Sequence, residues 1–160
     1  MAVPTTPIRL QVIDRVVTVL KAITAGTSYF YTPYEVVKRA KNNTECGGFP
    51  TYMVFIASTS EPEQHLDSEY VVTMTLTVGG WVDLELGEPQ SKLIKCIRDV
   101  EKAIDTDAKS TAAGSLGALC SNGLVDIGAC ETDNGGFSLQ GFAAFEQSIK
   151  VQLVGDWSEL

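Results

Sequence analysis

Only one histidine, His65, stands in the 160 residues, and bases are outnumbered, with 12 lysines and arginines against 20 acids and a formal net charge of −8. Neutralising a phosphate backbone takes a basic face. The balance therefore speaks against a protein that wraps nucleic acid, though not against one past which nucleic acid slides. The four cysteines, Cys46, Cys96, Cys120 and Cys130, form no Cys-x-x-Cys pair, and with one histidine a zinc site is hard to build. They are expected to be reduced, with Cys96 packed as a small apolar residue. No apolar run approaches the ~20 residues of a membrane span. Residues 1–6 have neither the basic start nor the apolar core of a signal peptide. The expectation is a protein made and used in a cytosol, or released from one, for which the sequon Asn42-Asn43-Thr44 carries no meaning.

Catalytic signatures are equally scarce. The small residues of 114–123 have no lysine in P-loop register, and no dinucleotide fingerprint is present. Ser115 and Ser121 lack a Gly-x-Ser-x-Gly context, and a histidine-dependent nucleophile would have to use His65. Trp81 and Trp157 read as side chains bridging apolar and wet surfaces rather than as ligand platforms. A non-enzyme without metal or cofactor is expected.

What is present is a globular composition, 44% hydrophobic and 20% charged, of a size for one domain spanning residues 1–160. Residues 69–84 organise it. Tyr70, Val72, Met74, Leu76 and Val78 alternate with Val71, Thr73, Thr75 and Thr77, the pattern of a half-buried antiparallel strand. Gly79-Gly80 then predicts a bulge, a bend or a close backbone approach.

Before it, Thr6-Pro7 predicts a helix start. Ile8, Val12, Ile13, Val16, Val17, Leu20 and Ile23 recur at helical spacing up to a stop at Gly26. Tyr29-Phe30-Tyr31 reads as a short strand, and residues 35–41 as a helical turn or an irregular edge strand. Residues 51–58 read as a strand covered on both faces. After the central strand, Pro89 opens a second helix with an apolar stripe of Leu93, Ile94, Ile97, Val100, Ala103 and Ile104. Its wet face is Lys92, Lys95, Arg98, Asp99, Glu101 and Lys102. Residues 105–121, rich in Ala, Gly, Ser and Thr, suggest an insertion or mobile loop, part of a loop-rich stretch 105–136. A short strand is expected over 123–129, a turn at Asp133-Asn134-Gly135-Gly136, and a long one-side-wet strand over 142–154. The fold class implied is α+β: a two-layer sandwich, its sheet mainly antiparallel or mixed, with both helices on one face.

Glu61, Glu63, His65, Asp67 and Glu69 stand at every second position. An extended chain would line them up as ligands for a hard cation. Pro62 weakens a regular strand there, and a solvated or pore-facing loop is the preferred reading.

In order, the chain offers an Ile-Arg-Leu-Gln-Val-Ile-Asp-Arg helix, the aromatic Tyr29-Phe30-Tyr31 and a Phe49-Pro50-Thr51-Tyr52-Met53-Val54-Phe55 strand entering an acidic loop. The Thr-rich strand, the Pro89 helix and a wet-sided terminal strand follow. This combination resembles the tail terminator (minor tail, or tail-completion) proteins of long-tailed bacteriophages, over about residues 7–160 and least over 105–136. The resemblance implies a structural subunit of a homo-oligomeric, hexameric ring assembled in the host cytoplasm and located in the virion, at the head-proximal end of the tail. The ring would cap the tail tube protein, end tube polymerisation and dock the head–tail connector protein. DNA would pass through its bore without specific binding, and no membrane is involved. Rings of this type place the second-to-third strand connection near the bore, which would make Glu61, Glu63 and Asp67 pore-facing. Thr73, Thr75 and Thr77 would meet a neighbouring subunit, line the bore, or face water. Alternatives are another head–tail joining protein (connector-completion or tail-adaptor) and an unrelated soluble ligand-binding α+β domain.

Overall fold

The computed structural model describes residues 6–26, 28–64, 69–83, 89–120, 124–133, 141–156 and 160. Helix α1 (Ile8–Lys21) is followed by β1 (Glu35–Val37), β2 (Thr51–Thr59), β3 (Glu63–Gln64) and β4 (Glu69–Asp83). Then come α2 (Pro89–Ala108), the short α3 (Leu116–Leu119), β5 (Val125–Asp133) and β6 (Phe142–Asp156). The strands form one sheet in the order β1-β2-β4-β6-β5, with β3 also paired to β4. β1 runs parallel to β2, and the other pairs are antiparallel. The α+β class and the mixed sheet expected from the sequence are those observed.

β4 is central, flanked by β2 and β6. Val72, Met74, Leu76, Val78 and Val82 are buried, and its register with β6 runs without a slip from Glu69↔Asp156 to Asp83↔Phe142. Tyr52 and Val54 of β2 lie on the same face as Phe145, Ile149, Val151 and Leu153 of β6. Val12, Val16, Val17 and Leu20 of α1, and Leu93, Cys96, Val100 and Ile104 of α2, close over them in one core. Burial on this scale drives the fold at roughly 25 cal/mol per Å² of apolar surface removed from water. No helix among the described residues is long and apolar enough to cross a membrane.

Several local expectations are corrected. α1 is capped by Pro7 without a side-chain hydrogen bond and ends at Ala22 rather than Gly26. The Pro7 carbonyl accepts from the amides of Leu10 and Gln11 at 3.0 and 3.1 Å. Residues 29–31 form no strand beyond a single bridge from Tyr29 to Ala25. Residues 35–37 take the edge-strand alternative. Ile94 lies one residue, about 100°, beyond the inward-facing Leu93 and is 60% exposed. Conversely, Lys92 and Asp99, expected on the wet face, are buried.

The described residues within 105–136 include regular elements as well as loops. α2 runs to Ala108, β5 occupies Val125–Asp133, and Leu116 and Cys120 belong to the main core. α3 starts where Ser115 caps it, its Oγ accepting from the Ala118 amide. Gly79-Gly80 causes neither bulge nor bend; of the three readings, close approach holds. The bulges lie instead at Ile56/Ser58 and at Ile127/Cys130. At the second, Gln147 occupies a core position with no exposure, and its Nε2 donates to the Gly128 carbonyl at 2.7 Å. The Nε2 group thus satisfies a carbonyl at the irregular ladder, whereas the buried Oε1 has no hydrogen-bond partner among the described residues.

Candidate functional site: the acidic hairpin and the open sheet face

β2 and β3 use the same edge of β4 in succession. After Thr59↔Met74, the Ser60 amide donates to the Thr73 carbonyl at 2.8 Å and the Thr73 amide donates to Ser60 Oγ at 3.0 Å. Glu63 and Gln64 then pair with Val71 and Tyr70. Pro62, without an N–H to give, sits in the kink between them. Glu61 and Glu63 are exposed on this connection. Asp67 and His65 lie outside the described residues, as do Glu88, Trp157 and positions 134–136. Glu69, also exposed, stands opposite Asp156 of β6. One end of the sheet therefore gathers Glu61, Glu63, Glu69 and Asp156, and among the described residues no ion pair reaches them. No metal-holding group of side chains occurs among the described residues.

The face of β4 away from the helices is only partly free. Thr73 is exposed and Thr75 half-buried, but Thr77, aligned with Phe55 and Ser148 on the flanking strands, is 9% exposed. It is thus covered within the chain and is withdrawn from the three threonines expected at an interface or bore. Towards the Asp83 end, Trp81 Nε1 donates to the Lys41 carbonyl at 2.8 Å, tying residues of the β1–β2 connection over this face.

Sequence reasoning missed two buried acids that organise the helix layer. Asp107 accepts from Arg15 Nε at 2.9 Å, from its Nη2 at 2.5 Å and from the Leu116 amide at 2.8 Å. Burial pushes the Asp107 carboxyl up, but the Arg15 fork and the Leu116 amide outweigh it and hold it below the ordinary 3.8. A carboxyl depressed on folding contributes stability above its unfolded value and loses it as pH falls through the folded one. Asp107→Asn should therefore be about 2 kcal/mol less stable than the parent near neutrality. The gap should close below about pH 4, as read from urea unfolding across pH. A gap that stays constant in acid would contradict this role.

Asp99, 1% exposed, accepts from the amides of Phe30 and Tyr31, each at 2.9 Å. All four cysteines are free. Burial pushes the Cys96 thiol up to about 12 and those of Cys120 and Cys130 to about 11, so these sulfurs stay protonated and unreactive near neutral pH. No signal in residue type or spacing separates Asp99 and Asp107 from solvated acids; only tertiary packing does.

No family model matches the chain, and no curated protein matches it.

Proposed function

We propose that the chain is a structural subunit of a closed homo-oligomeric ring at the head-proximal end of a long phage tail, a tail terminator, six copies being the expected number. It would cap the tail tube, end its polymerisation and present a docking surface to the head connector. No catalysis is involved. The observation that carries this reading is the sheet end at which Glu61, Glu63, Glu69 and Asp156 gather without cation partners among the described residues. Repeated around a ring, such an end lines a passage with like charge, and DNA phosphates move past it rather than adhering. The two-layer fold supports the same reading, since helices on one side of the sheet leave the other side for neighbours.

The test is a charge reversal at Glu61→Lys, Glu63→Lys and Asp67→Lys. The parent should show a central hole by electron microscopy and no affinity for duplex DNA at about 0.15 M salt. The triple variant should keep the ring and gain salt-sensitive DNA binding, because each subunit then adds cations to the bore. A ring that ignores DNA in both forms would remove these acids from the bore, and a parent that binds DNA tightly would remove the reading.

A further inference from the structure

The helix layer carries a cationic, apolar patch that the chain itself does not cover. Ile94 is 60% and Phe30 49% exposed. Lys95 reaches the Phe30 ring, Nζ lying 5.6 Å from its centroid, and Arg98, one turn beyond Ile94, is exposed. Neither Lys95 nor Arg98 pairs with a carboxylate among the described residues. In a chain of net charge −8, two cations without an ion-pair partner among the described residues thus stand beside two large exposed apolar side chains.

Its complement lies on the other layer. β5 and β6 place Glu131 directly opposite Glu146, both exposed, although like charges facing each other across a strand pair oppose the pairing. Beside them runs a groove of about 420 Å³ lined by Trp81, Ala144 and Asp133. Both patches sit at the same end of the molecule. The Lys92–Asp83 ion pair at 2.8 Å brings the first turns of α2 to the end of β4, and Trp81 is level with Ala144 two residues from that end.

We propose that the α2 face bearing Phe30, Ile94, Lys95 and Arg98 docks on the Glu131–Glu146 corner of the open sheet face in a second copy of the chain. This deepens the ring reading and rests on it. The two surfaces differ, so the contact is head-to-tail, the type that generates rings when the rotation closes. Opposite charge selects the partner and its orientation, and Ile94 and Phe30 supply apolar area at the groove. Glu61 and Glu63, at the far end of β4, remain uncovered.

Two reversed proteins test it: one with Lys95→Glu and Arg98→Glu, the other with Glu131→Lys and Glu146→Lys. Sedimentation and light scattering over a concentration series should show the parent assembling and each reversed protein dissociating at roughly 100-fold or more higher concentration. An equal mixture of the two reversed proteins, and a single chain carrying all four substitutions, should assemble again, which misfolded chains would not do. If the reversed proteins assemble like the parent, this interface is wrong while the ring reading stands. If they dissociate and neither recombination restores assembly, the pairing of these two surfaces is wrong. A parent that remains monomeric to about 1 mM would overturn both the interface and spontaneous ring formation.

Discussion

Replacing Asp99 by alanine is expected to lower the unfolding free energy by about 3 kcal/mol, moving the thermal midpoint down by roughly 6–12 °C for a chain of this size. The carboxylate is the acceptor for two consecutive main-chain amides. Phe30 N–H is shared between its oxygens at 3.1 and 2.9 Å, and Tyr31 N–H goes to the second oxygen at 2.9 Å. Removing it strands both donors at a partly buried position, where an unmade hydrogen bond costs more than a made one contributes. The same segment is held by three lysines of α2. Lys92 stands over Tyr31 at 5.2 Å, Lys95 over Phe30 at 5.6 Å and Lys102 over Tyr29 at 5.4 Å. These contacts contribute less, on the order of 0.5–1 kcal/mol each where solvent reaches them. They orient the rings and do not replace the missing acceptor. Asp99→Asn should cost less than Asp99→Ala, because one side-chain oxygen can still accept. Hydrogen exchange at the Phe30 and Tyr31 amides should accelerate in the alanine variant well beyond the rest of the α2 region. A loss under about 1 kcal/mol with unchanged exchange would show that the segment is held by its rings and not by Asp99.

That tether also explains where sequence reading succeeded and failed. The strict alternation of β4 and the helical spacing in α1 and α2 were legible because burial on one side alone dictates them. Tyr29-Phe30-Tyr31 has the aromatic content of a strand, but its amides are taken by a side chain 68 and 69 residues away, so no ladder forms. Asp99 itself occupies a helical position that composition assigns to water. Residues 105–121 looked irregular because α3 is a single turn with too few residues to show a period. What holds it is distant, namely Asp107 bonded to Arg15 of α1 and to the Leu116 amide. Of the candidate bore residues, Glu61 and Glu63 are exposed as expected, since charge beside a proline kink has no reason to be buried. Thr77 is not, because alternation assigns a face but cannot tell whether the chain returns to cover it.

Gly80→Val is expected to destabilise the protein by about 3 kcal/mol or more, although valine is by propensity the better strand residue. Gly80 of β4 is aligned with Tyr52 of β2 on one side and Phe145 of β6 on the other. The Phe145 ring lies across the position a side chain would occupy. A Cβ built on Gly80 meets Phe145 Cε1 at 2.2 Å, Cζ at 2.5 Å and Cδ1 at 3.0 Å. The ring cannot easily retreat, being 1% exposed and set edge-on to Tyr52 with centroids 6.0 Å apart. Glycine here is a slot that lets one aromatic ring cross the central strand and meet the other, a gain of roughly 0.5–1.5 kcal/mol beyond the area buried. Even Gly80→Ala should cost about 2 kcal/mol. A double-mutant cycle separates this account from a backbone one: Phe145→Leu vacates part of the slot, so its cost should be smaller by about 1 kcal/mol in the Gly80→Ala background than in the parent. Additive costs, measured by urea unfolding, would mean that the glycine serves the backbone of β4 and not the ring of Phe145.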